Sequence, residues 1–538
     1  MKINRRDFLK YSSSALAALS LPSIWIPKSA RASGTAQKKL VIFFLDGGND
    51  GQNTIVPIRT YNSNGIEIQD INGTEWHPDD PQYPPFSGPN SHSQYDHYRA
   101  LRPTIHLRKT QDGDNMPLLP LNVWNGGPSL GNRMTLDGSV SQGFVEFGLH
   151  PGMQSLVDIW NDGDLAIFPA AHCGPDSNRS HFFQTEYFGH GLYQTNEGDE
   201  TNGDGRGWVG RYFDQKYLPG GIVPERIEAF DFESGYYPLM DGSIPILAVG
   251  NPSDVLDNNE EELLEDVVNV NTARGETPDN LRGLYAQSQQ ALANKLAKID
   301  GVNFPSNVND YNNNFKPDGD LDYPNTGLGH KFMRTAAMIK DPTVGPEIEV
   351  FNLEQGGFDL HGNQVTSGNS SIGNHNNRLT DVANSMKAFY DDLNSAGCGE
   401  DVITVVMTEF GRTSDENGAR GTDHARASCW FAMGPGVNPG LYGTYPGTAR
   451  DVLNPNFGQP DEPERITDLD GGGRKYLFER VDYRDILSEV IANHLNNPAT
   501  SSIDAAAPFN PAGYGSGGNG AEYSLPTNPL NFVGTVHS

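Results

Sequence analysis

The chain has 538 residues, with 38 Lys and Arg against 68 Asp and Glu, a formal net charge of −30. Only 36% of residues are hydrophobic, while glycine (61) and proline (37) are plentiful, which points to one substantial core elaborated by long polar loops. Such acidity argues against nucleic acid, whose phosphates need a basic face, and against peripheral attachment to anionic lipid. Three cysteines, Cys173, Cys398 and Cys429, allow at most one disulfide and fit no zinc ribbon or finger.

The chain opens on an address. Asn4-Arg5-Arg6-Asp7-Phe8-Leu9-Lys10 sets two arginines before an aromatic-leucine-lysine run, a mildly apolar stretch follows from Tyr11 to Ile26, and Ala30-Arg31-Ala32 offers the small residues an export peptidase needs. This resembles a twin-arginine signal peptide, with Asn4 where Ser or Thr is more usual. An ordinary unfolded-export signal is the competing reading, which the paired arginines and modest hydrophobicity disfavour. Residues 1–32 are therefore expected to be removed, through the twin-arginine export machinery, leaving a periplasmic or secreted protein. Pro22 and Pro27 interrupt the apolar stretch, so no stable membrane span is expected.

Residues 36–507 read as one α/β domain. Lys39 to Leu45 is a continuous apolar run, as an interior strand of a largely parallel sheet requires. Similar runs recur at Leu165–Phe168, Ile244–Val249, Ile348–Phe351, Val402–Met407 and Cys429–Met433. After His375 the residues Leu379, Val382, Ala383, Met386, Phe389, Tyr390 and Leu393 fall on one helical face, and further helices are expected over Leu281–Ile299 and Tyr483–Leu495. Strands separated by helices predict a central, mostly parallel sheet flanked by helices, with long loop insertions. Tyr61 to Tyr98 reads as a surface insertion, and Asp254 to Asn280 as an acidic loop or exposed helix. The Gly-, Pro- and Asn-rich tail 508–538 is expected to hug the surface or stay disordered.

Polar residues gather where these strands end. The first strand runs into Asp46-Gly47-Gly48-Asn49-Asp50-Gly51, either an Asp/Gly turn or a carboxylate placed where open α/β sheets bind ligands. The strand at Leu165 leads to Arg179-Ser180-His181-Phe182. There Ser180 is a helix cap or a nucleophile, His181 a ligand, a base or a partner of the backbone, and Arg179 a group able to hold an oxyanion. Gly357-Phe358-Asp359-Leu360-His361-Gly362 offers a hard oxygen and a borderline nitrogen two residues apart, suited to binding one cation; the alternative is an Asp–His hydrogen bond tying down a loop. Thr408-Glu409-Phe410-Gly411-Arg412 and Gly421-Thr422-Asp423-His424 bring another acid and a second Asp–His pair toward the same edge.

On these residues the sequence resembles the domain-of-unknown-function family numbered 1501. The matching pieces are the leader, Leu45 to Gly51, Arg179-Ser180-His181-Phe182, Gly207-Trp208-Val209-Gly210-Arg211-Tyr212, Gly356 to His361, Thr408 to Arg412, Gly421 to His424 and Asp482-Tyr483-Arg484. That family looks like a distant branch of the alkaline phosphatase and sulfatase superfamily. The resemblance implies an alkaline-phosphatase-like sheet with metals at the strand ends beside a nucleophile. By order along the chain, Asp46, Asp359, His361, Glu409, Asp423 and His424 would hold one or two divalent cations, drawn from Zn, Mn, Ca or Mg. Ser180 and His181 would act in catalysis, and Arg179 or Arg412 would stabilise developing negative charge. Phe410 stands where those enzymes usually carry a histidine ligand, so the second metal site would lose that ligand. The expected activity is hydrolysis of phosphate or sulfate esters, small-molecule or polymeric. The alternative is a non-catalytic exported binding or cell-surface protein that keeps a structural ion site.

Overall fold

A computed structural model describes residues 37–62, 64–70, 93–121, 133–136, 143–172, 179–192, 206–217, 226–233, 238–242, 247–248, 294–299, 302, 304–305, 307–316, 320–445, 477, 479–496, 503–510, 524–526 and 529–533. The leader and the acidic segment 254–280 lie outside these residues. The strands in chain order are β1 (Lys39–Leu45), β2 (Ile55–Tyr61), β3 (Glu67–Ile68), β4 (Leu119–Pro120), β5 (Arg133–Thr135), β6 (Phe144–Leu149) and β7 (Leu165–His172). They continue with β8 (Ala229–Asp231), β9 (Leu247–Ala248), β10 (Val350–Gln355), β11 (Val402–Met407), β12 (Ser428–Met433), β13 (Gly440–Leu441) and β14 (Val481–Asp482).

Among the described residues the main sheet has nine strands in the order β13-β7-β12-β11-β1-β10-β8-β9, with β14 alongside β7. Its strands are continuous apolar runs because both faces are covered. In β1, Val41, Phe43 and Leu45 join one core cluster, and Leu40, Ile42 and Phe44 join the cluster on the other face. The first face is covered by α2 (Gln154–Asp162), α5 (Gly327–Lys340) and α6 (Asn374–Ser395), whose Phe332 and Phe389 rings pack 5.2 Å apart. The second is covered by α4 (Trp208–Tyr217) and α7 (Tyr483–Val490). Each large side chain so buried stabilises the fold by roughly 1.5–3 kcal/mol.

The sheet is mixed, with mostly parallel strands. β12 runs antiparallel to both β11 and β7, while β10 and β11 flank β1 in parallel. Register then does the placing. Leu45 pairs with Gln355 and Phe44 with Met407, so β1, β10 and β11 end level, and the loops after them leave one edge together. Because β12 runs the other way, the segment before it, which carries His424, reaches the same edge.

The antiparallel second sheet was not legible in the sequence. β3, β2, β6 and β4 lie side by side with β5 on β6, and α1 (Gln94–Leu101) packs beside them. Of residues 61–98, expected as a surface insertion, the described part includes Tyr95 and Tyr98, which are buried with Val56, Ile58, Leu107 and Leu118. The strands β3, β4 and β5, of two or three residues, carry too little alternation to stand out. Of the helix expected over 281–299, residues 294–299 are helical and the rest lies outside the described part. The helix expected over 483–495 is α-helical to Val490 and a π-turn from Ile491 to Leu495. In the described part of the tail Phe532 is fully buried against Phe168 and Tyr442, whereas Leu525 is exposed.

Several histidines are buried in neutral form. Burial holds the His106, His375 and His494 rings down to about 4. Between that value and the ordinary 6.5 the unfolded chain binds more protons, so the stability each ring confers is complete above pH 6.5 and is lost as pH falls toward 4. His375→Gln keeps a donor for the Asn49 Oδ1, which the ring meets at 3.0 Å, and cannot titrate. Its unfolding free energy is expected to fall by about 1–2 kcal/mol less than the wild type's between pH 7 and pH 5. Equal falls in the two proteins, measured by denaturant titration, would refute this.

Candidate metal centre

Four loops meet at the level edge of the sheet. Gly47 and Gly48 turn the chain away from β1 with φ of 112° and 70°, a region that costs side-chain-bearing residues. A Cβ on Gly47 would lie 2.4 Å from the Asp359 nitrogen, and one on Gly48 would lie 2.3 Å from the Phe410 ring. These glycines therefore let the Asp46 loop lie directly on the Asp359 and Phe410 loops.

His181 opens α3 (His181–His190), and Ser180 occupies its N-cap position without a side-chain capping bond. The His181 Nδ1 lies 2.7 Å from Glu409 Oε1, and its Nε2, buried and without a hydrogen-bond partner among the described residues, lies 3.6 Å from Asp359 Oδ2. The hydrogen bond to Glu409 raises the ring's affinity for a proton. The His424 Nδ1 lies 2.8 Å from the Arg179 carbonyl, and the His361 Nδ1 lies 2.8 Å from Asp423 Oδ1. A carbonyl and a carboxylate only accept, so both Nδ1 atoms carry the hydrogen, and in the neutral rings both Nε2 atoms are bare.

Those bare nitrogens face each other. His361 Nε2 and His424 Nε2 are 2.8 Å apart, and they lie 3.0 and 3.1 Å from Asp359 Oδ1. Three acceptors at such distances repel one another unless a cation or a shared proton stands among them. Ligand atoms of His181, Asp359 and His424 also lie within 4.8 Å of one another. The donor set, imidazole nitrogens around one carboxylate with each Nδ1 tied back by an acceptor, is one that could hold a transition-metal ion. Asp359 and His361 are each about half exposed, so the cluster opens to solvent. Phe410 is buried, its ring 4.8 Å from that of His181 and 4.7 Å from that of His424, and it closes the cluster from beneath.

The remaining expected residues take other places. Glu409, expected as a ligand, is fully buried and accepts from His181, from the Gly47 N–H at 2.8 Å and from the Thr408 hydroxyl at 2.9 Å. Asp423, also expected as a ligand, orients His361 and accepts from Asn417 at 3.2 Å. Arg412, expected to meet developing charge on a substrate, is 1% exposed and turned inward. Its guanidinium donates to the carbonyls of Gly47, Gly48, Phe358 and Thr422 and, at 2.6 Å, to Asp359 Oδ1. It is a clamp across the ligand-bearing loops. Burial alone would raise the Asp359 carboxyl, but the hydrogen bond and charge of the Arg412 guanidinium act against it and hold the group below the usual carboxylate range. The Asp46 carboxyl is pushed up by burial and then by Glu409, and accepts no hydrogen bond among the described residues. Arg179 enters the cluster through its backbone carbonyl. No local spacing foreshadowed the orienting acids, because Glu409 and Asp423 act on His181 and His361, which lie 228 and 62 positions away.

Fold and site together define a mixed-sheet α/β protein with a histidine–aspartate cluster at its strand ends. Residues 175–461, more than half of the chain, match the family model described as "Protein of unknown function (DUF1501)", and the chain belongs to that family. No curated protein and no solved structure matches it. Among the described residues no helix is long and apolar enough to cross a membrane.

Proposed function

We propose that the protein is a metal-dependent hydrolase of phosphate or sulfate esters, exported by the twin-arginine pathway to the periplasm or beyond, with a fold of the alkaline phosphatase and sulfatase type. The observation that carries the reading is the convergence of the bare His361 and His424 Nε2 atoms on Asp359 Oδ1. His181, Asp359, His361 and His424 would hold the cation, and Asp46 stands ready as a further carboxylate. A bound divalent cation supplies Lewis acidity toward an ester oxygen and acidifies a coordinated water or hydroxyl.

The chain's own residues do the rest. Glu409, Asp423 and the Arg179 carbonyl hold the three imidazoles in the tautomer that leaves Nε2 free. Arg412 keeps one Asp359 oxygen in a fixed position. Ser180 precedes His181 at the start of α3, so its hydroxyl is the group best placed by sequence to attack an ester, with the Arg179 side chain beside it for the anion. The acidic surface suits a small anionic group reached at a cationic centre rather than a polyanion that wraps the protein.

The reading is tested by elemental analysis of the protein matured in its native host, followed by turnover of aryl phosphates and aryl sulfates. Stoichiometric divalent metal and a turnover that Ser180→Ala reduces by a factor on the order of 10³ or more are expected. Stoichiometric metal without turnover would favour the non-catalytic ion-binding protein instead, and metal-free protein with full esterase activity would overturn the metal mechanism.

A further inference from the structure

We propose that Arg102, which belongs to the second-sheet unit, is a positioning residue for the histidine–aspartate cluster and acts on it through Asp50, Gln364 and Thr413. The inference rests on the reading of that cluster as a cation centre.

Arg102 stands just after α1 and is wholly buried, and all five of its donors are engaged. Its Nη1 donates to Asp50 Oδ2 and to Asn53 Oδ1, each at 2.7 Å. Its Nη2 donates to Asp50 Oδ1 at 3.0 Å and to the Thr413 carbonyl at 2.7 Å, and its Nε to the Ser414 carbonyl at 2.9 Å. One planar group from the second sheet thus ties the loop after β1 to the loop after β11.

From there two routes reach the imidazoles. Asp50 Oδ2 also accepts from Gln364 Nε2 at 2.6 Å, and Gln364 Oε1 accepts from the Thr422 hydroxyl at 3.0 Å. Gln364 is fully buried, three residues beyond His361, and Thr422 directly precedes Asp423 and His424. On the second route the Thr413 N–H donates to the Asp423 carbonyl at 2.9 Å, and the Asp423 N–H donates to the Thr413 hydroxyl at 3.1 Å. Asp423 is the acid that sets the His361 tautomer.

A buried ion pair gives little net stability over a well-packed apolar pair, because desolvation offsets most of the attraction. What the guanidinium fork does supply is angle. It fixes Asp50 through two parallel bonds, and so fixes where Gln364 can sit. A lysine would keep the charge and lose that fork. The separation between His361 Nε2 and His424 Nε2 is thereby referred to a part of the fold that holds no ligand.

The experiment compares the purified full chain with Arg102→Lys and Gln364→Met, the latter removing only the link between Asp50 and Thr422. Histidine nitrogen NMR of the metal-free protein reads the tautomers, Co²⁺ titration followed by its d–d absorption reads the centre, and denaturation reads the fold. We expect His361 and His424 as Nδ1–H tautomers in the wild type and mixed tautomers in both variants. We expect Co²⁺ affinity lower by about 10- to 100-fold with an altered d–d band, and an unfolding midpoint of Gln364→Met close to the wild type's. Unchanged tautomers and affinity in Gln364→Met would overturn the proposal, as would a lowered midpoint with both readouts intact. If Arg102→Lys does not fold, Gln364→Met decides. A wild type that takes up no Co²⁺ would sink the metal reading alone, since the tautomers still decide whether Arg102 positions the rings.

Discussion

Replacing His424 by alanine is expected to abolish stoichiometric metal binding and to lower ester turnover by about 10³-fold or more. His424 is the ring the others share: its centroid lies 4.5 Å from that of His181 and 4.6 Å from that of His361. Its Nε2 is the atom that meets both His361 Nε2 and Asp359. A cation that stabilises transition-state charge by about 4 kcal/mol or more accounts for a loss of that order. Asp423→Asn should be milder, about 10- to 100-fold in metal affinity, because it alters the partner of His361 and removes no ligand. Elemental analysis and turnover decide the matter. Full metal content in His424→Ala would remove the centre from this cluster.

Arg412→Met is expected to destabilise the fold by about 3–5 kcal/mol, the range for removing one partner of a buried charged network. Methionine fills similar space and can donate nothing, so the buried carbonyls of Gly47, Gly48 and Thr422 lose the Arg412 donor, while that of Phe358 keeps the Leu360 N–H at 2.8 Å. Each buried carbonyl so abandoned costs about 1–3 kcal/mol. Asp359 is half exposed and recovers part of its loss by hydration, so it adds less. Denaturant unfolding measures the change. A loss below about 1 kcal/mol would mean that these loops are held by backbone packing and not by the guanidinium.

Both predictions turn on a distinction that residue types do not carry. Asp46, Asp359, Glu409 and Asp423 read alike in sequence, as acids in loops after or before inner strands. In the fold Asp359 faces the imidazole nitrogens, Glu409 and Asp423 stand behind His181 and His361, and Asp46 stands beside them with its carboxyl pushed up. The sequence leaves His181 open as ligand, base or backbone partner, and the resemblance places it in catalysis; in the fold its Nε2, without a hydrogen-bond partner among the described residues, lies 3.6 Å from Asp359 Oδ2. Arg412 looked like a group for substrate charge, and its 1% exposure turns it to the protein's own carbonyls. The second sheet and Arg102 left no trace in the periodicity.

What the sequence determined by itself was local. An apolar run such as Lys39–Leu45 reads as an interior strand, the face from Leu379 to Leu393 as one side of a buried helix, and the glycines after Asp46 as a sharp turn, and all three form. The tertiary structure alone decided which nitrogen of each histidine is free. The partners of the three Nδ1 atoms lie 62, 228 and 245 positions away in the chain, so their meeting depends on strand register and on the reversed direction of β12. A hydrogen bond is directional over tenths of an ångström, whereas periodicity reports only which face a residue occupies.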